Sequence, residues 1–282
     1  MRSKRIALVT GTSSGLGMYT ALELAKEGYM VIATMRNFKR SNQIKELANQ
    51  MNINENIDYQ QLDVTKESEI KNVVHYIIHT YGKLDILMNN AGVSLGSFVE
   101  LSENDDWKQS MTTNFFGTVN VTRAVLPYMR KAGNGKIINV SSVSGRFGFP
   151  AHGPYTASKF AVEGFSESLR LEMKPFNVDV ILMEPGVYKT SIWDKNFNYL
   201  KSETKDSTTY AKFLKNIMRF TDKLLEGASD PGKLAKRLVK IVGYRSPRLR
   251  YTLGKGAKLS LFIKFIIPWK WLEAILIREI KK

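Results

Sequence analysis

Residues 136–160 read KIINVSSVSGRFGFPAHGPYTASKF: a buried strand, a glycine-bearing loop and the first turns of a helix. Pro154 suits the opening helical turn, where its missing N–H would lack a partner anyway, and no further proline interrupts the chain until Pro175. A helix of about five turns follows, and the run brings Ser142, Tyr155 and Lys159 together. Residues four apart share a helix face, so the Lys159 ammonium lies beside the Tyr155 phenol and favours its ionised form. A phenol titrates near 10, and a cation at roughly 5 Å in an effective dielectric near 20 offers about 3 kcal/mol, around 2 pKa units. The expectation is a phenol drawn towards neutral pH that gives or takes a proton. The competing reading is an ordinary solvated pair, and a second Tyr-x-x-x-Lys does occur, Tyr251 to Lys255. That one lies in RYTLGKG, at a strand end with no serine-bearing strand leading into it.

The surroundings of this stretch suit one large α/β domain. The chain has 282 residues, 43% of them hydrophobic, with no proline-, serine- or glycine-rich linker and no fixed-period repeat to divide it. Cysteine is absent, which excludes a disulfide framework, a catalytic thiol and thiolate-bound metal and is compatible with a reducing cytoplasm. No metal site is expected. The opening MRSKRIALVTG imitates a secretion signal, but its apolar run is short and meets glycine, so it reads as a first strand.

That strand, RIALVT at 5–10, leads into TGTSSGLG at 10–17 and then an amphipathic helix ending near Gly28. Strand, glycine turn, helix is a phosphate-binding layout. Gly11, Gly15 and Gly17 allow a tight turn through which backbone N–H groups and the helix N-terminus approach a pyrophosphate, with Leu16 between them and Ser13 and Ser14 adding hydroxyls. The same letters hold G-T-S-S-G, a form of the hydrolase nucleophile elbow, but no histidine is well placed to serve it: His75 and His79 fall in a predicted helix and His152 just before Pro154. His152, three residues from Tyr155, is instead a candidate substrate contact.

The second strand ends near Thr34 without the carboxylate that would hold an adenosine ribose by its 2′-hydroxyl; Arg36 stands there, with Lys39 and Arg40 nearby. A guanidinium pairs with a 2′-phosphate that a carboxylate would repel, which favours NADP(H) over NAD(H), against the alternative of a solvated loop arginine. Asp63 and Val64, closing a third strand, either line an adenine pocket or, for Asp63, cap the next helix. A fourth strand, LDILMNN, runs into Asn90-Ala91-Gly92, small residues that let backbone approach a ligand. Asn114 follows inside a predicted helix over about 104–131, where a buried amide needs partners.

In this order, T-G-x-x-x-G-x-G, N-N-A-G, Asn114, Ser142 thirteen residues before Tyr155, Y-x-x-x-K and Pro185-Gly186 resemble the short-chain dehydrogenase/reductase family. The likeness covers about residues 5–253 and leans towards its shorter oxidoreductase branch, with 17-beta-hydroxysteroid and retinol dehydrogenase-like members. The resemblance implies a doubly wound (Rossmann) α/β fold of about seven parallel strands with helices on both faces. It also implies Tyr155 as acid/base, Lys159 on the nicotinamide ribose, Ser142 on the substrate oxygen and Asn114 positioning a water that links to Lys159. Pro185, Gly186, Val187 and Thr190 match the segment at the nicotinamide end. Family members commonly associate, so a homodimer or homotetramer is expected.

Residues 187–230 depart from regular alternation and carry Trp193, Phe197, Tyr199 and Tyr210, which reads as a mobile lid for a bulky apolar alcohol or carbonyl substrate. With it, residues 1–254 form the catalytic domain. The extension 255–282 is apolar and basic; its interior Lys264, Lys270 and Glu273 interrupt any run near the roughly 18 residues of a membrane span. Residues 231–282 hold +12 of the net charge of +16. Three coverings suit this tail, an anionic membrane surface, the domain's own flank or a partner subunit; the first gives a cytoplasmic enzyme with peripheral contact at the inner face of a membrane. Two other classes remain open: a silent nucleotide-binding regulator, disfavoured by the complete set of catalytic letters, and a nucleic-acid binder, disfavoured because the charge sits in an apolar tail rather than a groove.

Overall fold

The computed structural model describes residues 4–188, 200–201, 208–226, 228 and 230–281. Seven strands form one parallel sheet: β1 Ile6–Thr10, β2 Met30–Met35, β3 Ile57–Gln61, β4 Ile86–Asn89, β5 Gly135–Val140, β6 Val178–Pro185 and β7 Arg250–Leu253, in the order β3-β2-β1-β4-β5-β6-β7. The expected doubly wound fold is therefore present. Alternate residues of β1 show why its run is apolar throughout: Ala7 and Val9 enter one core and Ile6 and Leu8 the other, so both sheet faces are covered. The chain leaves β1 towards β2 on one side and later returns to β4 on the other. This reversal opens a crevice at the carboxyl ends of β1 and β4, the place where open α/β sheets receive ligands.

The helices α1 Gly15–Lys26, α2 Asn42–Gln50 and α3 Glu67–Tyr81 follow the first three strands. α4 Asn104–Ser110 and α5 Gly117–Ala132 are joined by a π-helical turn, Met111–Phe116, where a single uninterrupted helix was expected. α6 Gly153–Met173 opens with Pro154, as the sequence predicts, and is followed after β6 by α7 Thr208–Glu226 and α8 Pro231–Val242. α7 corrects part of the irregular lid: Tyr210, Phe213, Leu214 and Ile217 recur at helical spacing and join Phe98 and Ala151 in a third apolar cluster. Residues 189–199 and 202–207 of the lid expectation, with Trp193, Phe197 and Tyr199, lie outside the described residues.

The tail is two helices, α9 Ala257–Ile266 and α10 Trp269–Lys281, broken at Pro268. It packs on the domain through Ala257, Leu272 and Ile280, which are buried, and Ile280 joins the third cluster. Among the described residues no helix is long and apolar enough to cross a membrane.

Candidate active site

The glycine turn is built by close approach. Gly11 has φ +71° and a Cβ there would lie 2.8 Å from the Ala91 Cα; a Cβ on Gly17 would lie 2.2 Å from Asn90 Nδ2 and 2.4 Å from the Gly11 carbonyl oxygen. Only glycine lets β1, the turn and the start of the β4 loop meet this tightly. The Asn90 amide donates to the carbonyls of Thr10 (2.9 Å) and Gly11 (3.0 Å), while the Thr10 hydroxyl accepts from the N–H groups of Asn90 and Ala91. The Asn90 side chain is thus a brace for the turn, and its amide group is already engaged. Ser14 precedes α1 with an exposed side chain that makes no capping bond, Ser13 is half-buried, and the first turn of α1 (Gly15, Leu16, Gly17) holds no acidic residue. A helix N-terminus of this kind favours an anion, and the cradle fits the pyrophosphate of a dinucleotide.

Around it the other expected contacts separate. Arg36 is exposed just past β2 and, among the described residues, makes no ion pair or hydrogen bond. Asp63 does not cap α3, whose cap position is Lys66; its Oδ1 accepts from the Thr65 N–H (3.0 Å) and hydroxyl (2.8 Å), closing a local turn. Val64 is buried, and Gly117 lets it come close, since a Cβ there would lie 2.7 Å from Val64 Cγ2. Gly92 is exposed above Asn114. Gly186 donates its N–H to the Leu253 carbonyl (2.7 Å) and packs on Ala257, which fixes Pro185 and Val187 at the carboxyl end of β6. Thr190 lies outside the described residues.

Ser142, Tyr155 and Lys159 do meet. Ser142, two residues past β5, has extended backbone, accepts the Ser144 N–H on its hydroxyl (3.1 Å) and lies close enough to the Tyr155 phenol to act on its pKa. Lys159 lies one turn on, its Nζ 5.6 Å from the Tyr155 ring centre and donating to the Val140 carbonyl at 2.8 Å. The phenol's titration corrects the expectation: burial pushes Tyr155 above its ordinary value, and the neighbouring Ser142 hydroxyl draws it down only in part. Burial acts on the lysine too, bringing it down to about 8 with Glu163 opposing. In an even dielectric the lysine's charge would set the phenol's direction; desolvation of both partners dominates here. The result is a protonated phenol at neutral pH beside a lysine whose charge titrates near the working range.

Asn114 sits in the π-helical turn, a feature frequent at functional sites. Its amide mimics a backbone partner for Val93, accepting that N–H (2.8 Å) and donating to that carbonyl (2.9 Å), and also donates to the Ser158 hydroxyl (2.9 Å). Ser158 in turn donates to the Tyr155 carbonyl at 2.7 Å. Asn114 thereby ties the loop after β4 to the first turn of α6. His152, buried immediately before α6, sets its ring edge-on to Tyr155 at 6.4 Å between centres, and burial holds its pKa below the usual value. Three contributors escaped the sequence reading. The Val140 carbonyl has no side-chain signature, Ser158 is one of many serines, and Glu163 was findable only as the residue four beyond Lys159 on the same face. No group of three or more potential metal ligands occurs among the described residues.

Comparison with known proteins agrees with this geometry. The family described as short chain dehydrogenase matches residues 5–200. An oxidoreductase of Bacillus subtilis, YusZ, is 42% identical over 279 residues, spanning 99% of each chain. 3-Ketodihydrosphingosine reductase of Bacteroides thetaiotaomicron is 39% identical over 251 residues, 89% of this chain and 88% of that one. Bovine (Bos taurus) retinol dehydrogenase 8 is 33% identical over 253 residues, 87% and 80%. Among solved structures, a short-chain dehydrogenase from Streptomyces avermitilis superposes with a TM-score of 0.81 at 29% identity, covering 99% and 96%. ElxO with NADP bound gives 0.74 at 26%, covering 91% and 99%. The chain belongs to the short-chain dehydrogenase/reductase family of oxidoreductases.

Proposed function

We propose that this protein is an NADP(H)-dependent oxidoreductase interconverting an alcohol and a ketone or aldehyde on a bulky, apolar substrate. The observation that carries the proposal is Tyr155 with Lys159 one helical turn away, its Nζ 5.6 Å from the phenol ring centre, beside a glycine cradle at the sheet's point of reversal. When bound, the nicotinamide supplies or accepts hydride. The protein's part is to move the proton. Tyr155, protonated at neutral pH, donates it to the substrate oxygen in reduction; Ser142 holds that oxygen, and the Lys159 ammonium steadies the phenolate left behind. The cradle at Gly11, Gly15 and Gly17 would hold the pyrophosphate, Asp63 and Val64 the adenine, and Asn90 to Gly92 with Pro185 to Val187 the nicotinamide half. Asn114 acts by positioning α6 and a water that links to Lys159.

Arg36 supports NADP(H), since an exposed guanidinium with no partner among the described residues, at the end of β2, has five donors to offer a 2′-phosphate. The NADP found in ElxO is consistent with this. The relatives that act, by name, on 3-ketodihydrosphingosine and on retinol suggest a long apolar chain next to the reacting carbon. His152 and the third apolar cluster beside Ala151 support the same class. The reading includes a homodimer or homotetramer in the cytoplasm, with peripheral contact at the inner face of a membrane through the tail. The test is consumption of NADPH, followed by absorbance, across long-chain 3-ketones, retinal and small ketones, for wild type and Arg36→Asp. The expected result is turnover of the long-chain carbonyls and a shift of preference towards NADH in the variant, because attraction to one phosphate becomes repulsion. No turnover of any carbonyl would identify a silent binding protein, and a wild type that prefers NADH would overturn the role of Arg36.

A further inference from the structure

Beside its buried Ala257, Leu272 and Ile280, the tail turns one cation inward and several large apolar side chains outward. Lys264 points inward, donating to the Arg146 carbonyl and lying over the rings of Phe147 (5.4 Å) and Phe160 (5.6 Å). On the same helix Phe262, Phe265 and Ile266 are outward, with 60%, 87% and 59% of their surface exposed. Beyond Pro268 the pattern continues in Trp271, 67% exposed, and Ile275, one turn later. A helix folded for water alone would turn these side chains the other way. Positions 262, 265 and 266 share one face at i, i+3 and i+4, so the apolar groups form a ridge rather than scattered residues. Around that ridge Lys258, Lys270, Arg278 and Lys281 are exposed, and Glu273 and Glu279 are the only acidic residues after Asp230.

We infer that α9 and α10 form an interfacial docking face for an anionic lipid bilayer, and that the substrate's apolar part reaches the active site from that bilayer. The second half rests on the proposed substrate class; the first does not. Charge complementarity selects the bilayer over a second copy of this chain. Two such faces brought together by a twofold axis would set basic rims of the same sign against each other, whereas each exposed lysine or arginine is attracted to anionic headgroups. Tryptophan and phenylalanine on a basic amphipathic helix are the side chains that settle at the headgroup boundary, and neither helix is long enough to go deeper.

The face is also continuous with the site. Lys264 and Trp269 rest on Arg146 and Phe147, which follow Ser142 closely in the chain; Trp269 and Phe147 have ring centres 6.4 Å apart. Ala257 packs on Gly186, and Ile280 meets the cluster around Ala151, the residue before His152. The tail is therefore seated on the segment that joins the catalytic serine to the catalytic tyrosine. An enzyme lying on a membrane through this tail has its Ser142-to-Tyr155 loop close to the lipid.

The experiment is sedimentation of the full-length protein with vesicles of phosphatidylcholine alone and with 30% phosphatidylglycerol added, for wild type and for Phe265→Ser/Trp271→Ser. Both substituted side chains face solvent, so the fold is undisturbed, which a melting temperature within about 2 °C of wild type confirms. The expected result is binding to the anionic vesicles, at least tenfold weaker binding to the neutral ones, and loss of binding in the double variant. Lys258→Glu/Lys270→Glu should weaken anionic binding by more than about 25-fold, from roughly fivefold for each basic residue lost. Wild type left in the supernatant with anionic vesicles at low salt overturns the inference. So does equal binding to neutral vesicles, or a double variant that changes only the oligomeric mass, which would make the face an interface between copies. Vesicle binding in a protein that turns over no carbonyl would leave the docking face standing and remove the proposed activity.

Discussion

Replacing Gly17 by alanine tests the cradle with one carbon atom. The new Cβ would lie 2.2 Å from Asn90 Nδ2 and 2.4 Å from the Gly11 carbonyl oxygen. The first contact can be relieved only if the Asn90 amide releases the carbonyls of Thr10 and Gly11, two hydrogen bonds of about 1 kcal/mol each. The second involves backbone on both sides and requires the turn itself to open, at an overpacking cost of about 1–3 kcal/mol. Against these stands a helix-propensity gain of about 1 kcal/mol for alanine over glycine, smaller than the two costs together. The net expectation is a loss of about 2–4 kcal/mol, shared between folding stability and dinucleotide affinity according to how far the turn reopens in the free protein. Urea unfolding and titration of NADPH fluorescence measure the two shares. Gly164→Ala is the control: it is helical with nothing within 4 Å of the added Cβ, so it should be neutral or stabilising by up to about 1 kcal/mol. A Gly17→Ala protein with wild-type stability and wild-type NADPH affinity would refute the close approach on which the site is built.

Reduction should show a pH limb set by Lys159: turnover level below pH 8 and declining above it, as the lysine, brought down to about 8, loses the charge that steadies the phenolate. The same group acts on stability with the opposite sign. Between about 8 and its ordinary 10.5 the unfolded chain holds more protons, so the Lys159 contribution rises with pH across that window, and Lys159→Met should flatten the rise in urea midpoints. Asn114→Ala removes three hydrogen bonds that join Val93 and Ser158, and should lower stability by about 3 kcal/mol in urea titration. A loss below about 1 kcal/mol would show that the loop after β4 is held by other contacts.

The features legible in the sequence are those where chemistry demands one residue at one place. Gly11 and Gly17 are glycine because backbone from two strands meets there, and Pro154 opens α6 because the missing N–H has no partner to lose. Where an outcome depends on surroundings the letters fall short. The four-residue spacing placed Lys159 beside Tyr155 correctly, yet the direction of the phenol's shift follows from burial, which spacing does not encode. Of the two roles open to Asp63, the helix cap is not taken: Lys66 holds that position, and Thr65 brings both a hydroxyl and an N–H to the Asp63 carboxylate. α7 was hidden by its composition: Lys212, Lys215 and Lys223 on its outer side suit a loop, while Tyr210, Phe213, Leu214 and Ile217 carry the helical period. In the tail, composition announced that something must cover the apolar residues, but only the fold shows Lys264 turned inward and Phe265 outward.

The account stands most directly on Tyr155. Tyr155→Phe keeps the ring and its packing and removes only the hydroxyl proposed to carry the proton. NADPH-dependent turnover of a long-chain ketone, measured beside NADPH affinity on the same protein, separates chemistry from binding. The prediction is a fall in turnover of about 10²–10⁴-fold, the usual worth of a positioned acid, with NADPH affinity changed by less than about twofold. Turnover within a factor of a few of wild type would contradict the assignment of Tyr155 as the proton donor, and with it the central claim about this site.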